Sequence, residues 1–166
     1  MKQIVEKEFI ELIKKHYGLL LKIVNIYFYK SQYKDDFLQE ILVRLWKAFP
    51  RFKGQSVFST WMYRVALNAA IDIIRKQSIR PVSVELSNAE YDQQKIDTDT
   101  ESENRDKLYR AINFLPEIEK AIILLYLEEY SYKEISQIIG ISENNVGVKV
   151  SRVKNKLNKI LENGKA

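Results

Sequence analysis

Apolar residues recur along most of this chain at intervals of three and four, the period of a helix with one buried face. From 6 to about 30, Phe9, Leu12, Ile13, Leu20, Ile23, Val24 and Tyr27 keep such a face, with Gly18 placed to bend or divide the helix. A second helix is predicted over 33–49. There Phe37, Ile41, Leu45 and Ala48 form the buried side, Leu38, Leu42 and Phe49 widen it, and Gln39, Glu40 and Arg44 remain outside. Asp35 and Asp36 suit the positive N-terminal end of that helix, and Pro50 closes it. Residues 51–56 form a basic loop, followed by a helix over 58–76 that is apolar or small around most of its circumference. Periodicity then lapses from 78 to about 100 and resumes at 101–114. Pro116 suits the first turn of the next helix, whose core face is Ile118, Ala121, Ile122, Leu125 and Tyr126.

The most informative stretch is 131–160, which reads as two helices joined by a tight turn. Ser131 and Glu134 stand in the S-x-x-E relation of a capping box, where each satisfies an N–H of the first turn. Ile135, Ile138 and Ile139 give the short helix one apolar face, and Gly140 follows where a left-handed residue ends it. Ile141 packs back onto the pair and Ser142 caps the second helix. Along that helix Val146, Val150, Val153, Leu157 and Ile160 form the buried stripe, at steps of four, three, four and three. The opposite face carries Asn144, Asn145, Val148, Ser151, Arg152, Asn155, Lys156 and Lys159, short-polar at its start and cationic at its end. Helix-turn-helix recognition of DNA needs this distribution, with small polar side chains at base edges and cations at phosphates. An ordinary amphipathic hairpin with a solvated basic face is the alternative.

The predicted fold is therefore all-α, with two small helical domains over 1–77 and 105–166. An acidic, flexible linker over 78–104 joins them. Composition sharpens this picture only in places. The chain has 166 residues and a net charge of +5, a modest excess that suits a polyanionic partner without proving one. Acids concentrate in 78–106 (Glu85, Glu90, Asp92, Asp97, Asp99, Glu101, Glu103, Asp106), which leaves the flanking domains more basic than the total. There are no cysteines, which excludes disulfides and thiolate metal sites and fits a cytoplasmic location. No apolar run reaches the length of a membrane span, and charges interrupt the N-terminal hydrophobics, unlike a signal peptide. The single histidine, His16, has no catalytic role in this reading.

On the helix over 58–76, Arg64, Asn68, Asp72 and Arg75 fall on one narrow stripe, with Trp61 at its margin. Beside the loop of Arg51, Phe52, Lys53 and Ser56, the stripe reads as a nucleic-acid platform. It reads equally as an internal pairing of Arg64 with Asn68 or Asp72.

Taken together, DDFLQEILVRLWKAFPRF, FKGQSVFSTWMYRVALNAAIDIIR and LPEIEKAIILLYLEEYSYKEISQIIGISENNVGVKVSRVKNKL resemble, in order, regions 2.2, 2.3–2.4 and 4 of bacterial RNA polymerase sigma factors. The likeness is to the small extracytoplasmic-function (ECF) group. It covers nearly the whole chain, and its F-x-x-W-x-Y-R-x-A-x-N-x-x-x-D-x-x-R arrangement is specific. The resemblance implies a non-enzymatic initiation factor without a cofactor, whose partners are core RNA polymerase, promoter DNA and an anti-sigma factor. Its first domain would bind polymerase through Asp36, Gln39, Glu40, Arg44 and Trp46, with Trp46 alternatively core. The same domain would hold the separated non-template strand at the minus-ten element through Arg51, Phe52, Lys53, Ser56, Arg64, Asn68, Asp72 and Arg75. An unpaired base needs aromatic and hydrogen-bonding groups and its phosphates need cations, which this set contains. Trp61 is assigned to the core, and Asp72 to positioning Arg64 or Arg75.

The second domain would read duplex minus-thirty-five DNA through Ser142, Asn144, Asn145, Val148, Lys149, Ser151, Arg152, Asn155 and Lys156. Here the chain departs from the family. Asn145 and Gly147 stand where many members have threonine and a basic residue, and Val148 replaces a commonly polar position, suited to a thymine methyl. The promoter bases read by other members therefore do not transfer. A stand-alone regulator binding duplex DNA as a dimer is the second reading, but it leaves the first domain's loop and stripe without a task. A DNA-processing enzyme is the third. The sequence contains no metal-ligand cluster, phosphate-binding glycine loop or nucleophile–base pair to support it.

Overall fold

The computed structural model describes residues 2–29, 31–79 and 100–164. Helix α1 (Lys2–Tyr27) runs through Gly18 without a break, so the glycine does not divide it. Helix α2 (Lys34–Ala48) leads into a 3-10 turn, Phe49–Arg51, that contains Pro50. Helix α3 (Phe58–Ile79) crosses both α1 and α2. Ala66, Ala69 and Ala70 give α3 a smooth side on which neighbours approach closely, while Met62 and Leu67 fill the space between. Ile23 of α1 and Ile41 and Leu45 of α2 close this core, each with no exposed surface. Full burial of such side chains stabilises by about 1.5–3 kcal/mol apiece. The buried side of α2 is rotated slightly from the predicted one. Leu38, Ile41, Leu45 and Phe49 are buried, whereas Phe37 and Ala48 are half-buried.

The remaining helices are α4 (Thr100–Asn113), α5 (Glu117–Leu127), α6 (Tyr132–Ile139) and α7 (Glu143–Glu162). Pro116 stands one residue earlier than expected, at the N-cap of α5. The linker predicted over 78–104 falls largely on 80–99, which lie outside the described residues. Helix α5 differs most from its predicted amphipathic form. Ala121, Ile122, Ile123, Leu124 and Leu125 are all buried, and Ile118, assigned to the core, is exposed. The reason is that α5 packs against α6 and α7 on one side and against α1 on the other. A helix covered from two sides is apolar nearly all round.

The two groups of helices therefore meet along a seam, where α1 packs on α4 and α5 and α3 packs on α6. The Tyr27 hydroxyl donates to the Glu117 carbonyl at 2.6 Å, and Lys22 pairs with Glu128 at 2.5 Å. The Arg110 Nε donates to the Tyr29 hydroxyl at 3.1 Å. The Tyr63 and Tyr130 rings meet edge to face, with centroids 5.3 Å apart.

Candidate nucleic-acid interface

The helix-turn-helix is built by local bonds. The Glu134 N–H donates to Ser131 Oγ at 3.3 Å, and Glu134 Oε2 accepts from the Ser131 N–H at 2.8 Å and its hydroxyl at 2.7 Å. These bonds hold the Glu134 carboxyl below its ordinary pKa. Gly140 sits at φ +81°, the left-handed conformation that ends α6. The Ser136 hydroxyl donates to the Ile141 carbonyl at 2.7 Å and fixes the turn, and Ser142 Oγ accepts the Asn145 N–H at 3.3 Å to start α7. Val146, Val150, Val153 and Leu157 are buried along α7 as the period requires, with Ile160 partly so.

The outer face of α7 exposes Ser142, Asn144, Asn145, Val148, Ser151, Arg152, Asn155, Lys156 and Lys159, while Lys149 is half-buried. Two features of this face were not read from the sequence. Glu119 of α5 holds Lys156 through both carboxylate oxygens, at 2.6 and 2.8 Å, so this cation is partly neutralised. Lys154 donates to the Tyr126 hydroxyl at 2.6 Å, close over that ring. Gly147 also finds a local reason. A Cβ there would lie 3.3 Å from Cε2 of Tyr132, whose ring covers the site that a basic side chain would need.

On α3, Arg64, Asn68, Asp72 and Arg75 are all exposed on one side. The expected pairing of Asp72 with Arg64 or Arg75 is not what the structure shows. Asp72 instead meets Arg44 of α2 at 3.3 Å, and Arg44 also pairs with Glu40 at 2.6 Å. Helical neighbours on one element were the only partners that spacing could suggest, whereas packing brings α2 alongside α3. Arg44 is thereby drawn toward the stripe rather than held on a separate face. In the adjoining loop Arg51, Lys53 and Ser56 are exposed, and Gly54 takes φ +68° to turn the chain.

Phe52 is only partly exposed. Its ring lies 5.1 Å from Trp61 and 5.6 Å from Phe58, within a cluster that includes Phe49. It therefore forms a wall of the aromatic cluster beside the loop, and Trp61 packs behind it. Val57, 69% exposed, extends the apolar surface at this point and was missed. On α2, Asp36, Gln39 and Glu40 are exposed, together with Val43, also missed. Trp46 turns away and stacks edge-on against Phe9 at 5.1 Å, half-buried.

His16 lies against the Phe58 ring, and burial, then Lys15, lowers its pKa. Among the described residues no group of His, Cys, Asp or Glu is placed to hold a metal ion. No described helix is long and apolar enough to cross a membrane.

Residues 12–79 match the Sigma-70 region 2 family and residues 105–157 match Sigma-70, region 4. The chain is 30% identical over 131 residues to the ECF RNA polymerase sigma-E factor of Escherichia coli (strain K12), covering 72% of this chain and 69% of that protein. It is 24% identical over 163 residues to the RNA polymerase sigma-H factor of Pseudomonas aeruginosa, covering 91% and 84%. Among solved structures, it is similar to the sigma factor RpoE in complex with the anti-sigma factor NepR from Bartonella quintana. The TM-score is 0.70 at 21% identity, over 94% of this chain and 98% of that one.

Proposed function

Because the chain belongs to the extracytoplasmic-function sigma factors of RNA polymerase, we infer that its exposed surfaces divide promoter recognition between them. A sigma factor binds core RNA polymerase and directs promoter-specific transcription initiation. In this chain the outer face of α7 reads duplex minus-thirty-five DNA. Asn144, Asn145, Val148, Ser151 and Arg152 meet base edges, and Lys149, Asn155 and Lys156 track phosphates. The α3 stripe and the loop of Arg51, Phe52, Lys53 and Ser56 take the opened non-template strand. There Arg51, Lys53, Arg64 and Arg75 meet phosphates, and Asn68 lies beside the Phe52 wall of the aromatic cluster. Asp36, Gln39, Glu40 and Arg44 on α2 face polymerase, with Val43 rather than Trp46 as the apolar contact.

The domains run over 1–77 and 105–166, with the intervening segment as tether. The chain contributes binding free energy and polymerase performs the chemistry, so no cofactor is needed. The place of action is the cytoplasm, and the similarity to sigma factors solved with anti-sigma partners extends the partner list to such a protein.

The observation that carries this reading is the exposure of two polar, cation-bearing faces, on α3 and α7, each backed by a packed core. Transcription by purified core polymerase from a genomic fragment library, with transcript ends sequenced, tests it. One shared pair of upstream elements among the starts is the expected result. Polymerase that ignores the protein, with no preference for any unpaired strand, rejects it.

A further inference from the structure

Within α7, Gly147 is there for its neighbour rather than for its backbone. Glycine is among the poorest helix formers, and this one has an ordinary right-handed conformation, so no turn requires it. What lies beside it is Tyr132, the first residue of α6. A Cβ on Gly147 would stand 3.3 Å from Cε2 and 3.7 Å from Cδ2 of that ring, so the edge next to the hydroxyl comes closest to α7. The tyrosine is 39% exposed, and its hydroxyl has no hydrogen-bond partner among the described residues. A phenol thus rests in a notch of the recognition helix with its donor unused.

The flank of α7 that carries this notch differs from the opposite one. The residues just before the buried stripe, Asn145, Lys149, Arg152 and Lys156, make one flank cationic. Those just after it, Gly147, Ser151 and Lys154, make the other, which has no cation before Lys154. Lys154 in turn already donates to the Tyr126 hydroxyl at 2.6 Å. A helix with its side chains is about 10–12 Å across and the major groove about 12 Å wide, so a helix seated there has a phosphate strand along each flank. On the Ser151 side, the early turns of α7 offer that strand no charge, and Tyr132 stands where one is missing.

We propose that Tyr132 is a further DNA-binding residue, seated in the Gly147 notch, whose hydroxyl donates to a phosphate oxygen of the strand along the Ser151 flank. The glycine admits the ring, and the contact is made without charge. This rests on the reading of α7 as the duplex-binding helix and gives that helix a grip on its second strand. A neutral donor displaces no counterion, whereas each cation on a phosphate steepens the plot of log affinity against log salt by about 0.9. A phosphate contact also carries no sequence information, so its loss is felt equally on any duplex.

Fluorescence anisotropy of the full chain with two labelled probes tests this. One is a duplex carrying the upstream element mapped from the transcript ends, the other a mixed-sequence duplex of the same length. Tyr132→Phe keeps the ring and the notch, and it weakens binding to both probes by a similar factor of about three- to tenfold, the range for one hydrogen bond. Its salt slope and urea midpoint match those of the parent. In the Tyr132→Ala background the notch is empty, and Gly147→Arg there recovers affinity while steepening the salt slope by about 0.9. With the tyrosine present the same arginine gains less, because ring and guanidinium compete for one place.

Unchanged affinity of Tyr132→Phe overturns the proposal. So does a loss confined to the mapped element, which makes Tyr132 a base reader, or a loss that comes with a lower urea midpoint, which makes it structural. Equal gains from the arginine in both backgrounds overturn the shared notch. Arg152→Ala separates this contact from the reading beneath it. If that variant also leaves both affinities unchanged, α7 is not the duplex-binding helix and the phenol contact falls with it. If Arg152→Ala weakens binding and Tyr132→Phe does not, only the phenol contact falls.

Discussion

Replacing Ser131 by alanine tests how far the capping box holds the helix-turn-helix together. The substitution removes two of its three bonds, the Glu134 N–H to Ser131 Oγ at 3.3 Å and the hydroxyl to Glu134 Oε2 at 2.7 Å. The third, from the Ser131 N–H to the carboxylate at 2.8 Å, is a backbone bond and survives. Loss of an N-cap costs about 0.5–2 kcal/mol. The surviving bond and the exposed setting place this case in the lower half, at about 0.5–1 kcal/mol. Helix α6 has eight residues, too few to be stable by propensity, so the loss is felt by the whole helix pair.

Urea unfolding followed by far-ultraviolet circular dichroism reads the difference at two pH values. The same bonds hold the Glu134 carboxyl below its ordinary 4.5. An acid with a depressed folded pKa contributes its full stability above the unfolded value and loses it as pH falls through the folded one. The gap between parent and Ser131→Ala is therefore complete at neutral pH and narrows as pH falls below the ordinary carboxyl value of 4.5. Equal gaps at neutral and acid pH would refute the charge-assisted part of this account. No gap at neutral pH would refute the box as a source of stability.

Three further outcomes follow from the same structure. Gly140→Ala lowers stability by about 1–2 kcal/mol, visible in the same urea curves. An added Cβ there has no atom within 4 Å to strike, so the loss comes from the left-handed backbone alone. Arg152→Ala weakens minus-thirty-five duplex binding by about 1–3 kcal/mol at fixed salt if it meets a base, and unchanged affinity removes it from that surface. Glu40→Lys weakens polymerase binding and leaves duplex binding in place, as a pull-down and a gel-shift measure separately. Equal loss of both, in a folded protein, rejects the division between α2 and α7.

The parts of the fold legible in the sequence are those whose causes lie within one or two turns of chain. Ser131, Glu134, Gly140 and Ser142 announce the helix pair because each acts on backbone groups three or four residues away. The stripe of Val146, Val150, Val153 and Leu157 follows from the same short-range geometry. What spacing could not supply was contact between distant segments. Ile123 and Leu124 are buried because α5 also packs on α1. Asp72 reaches Arg44 across 28 positions, and Glu119 reaches Lys156 across 37. For the candidate site, exposure of the α3 stripe and of the α7 face was foreseeable from helical period. The partial burial of Phe52 was not, and although core was the alternative weighed for Trp46, its contact with Phe9 was not foreseeable, because aromatic clusters assemble across elements.

Arg44 answers to two carboxylates on different helices, Glu40 at 2.6 Å and Asp72 at 3.3 Å. A genetic screen that scores α2 variants for polymerase association and α3 variants for strand opening would therefore record one guanidinium in both columns. Defects at Glu40 and Asp72 overlap rather than add, since each partly acts by freeing the same side chain. Second-site suppressors of either lesion should converge on position 44, and their absence there would show that the two helices report independently.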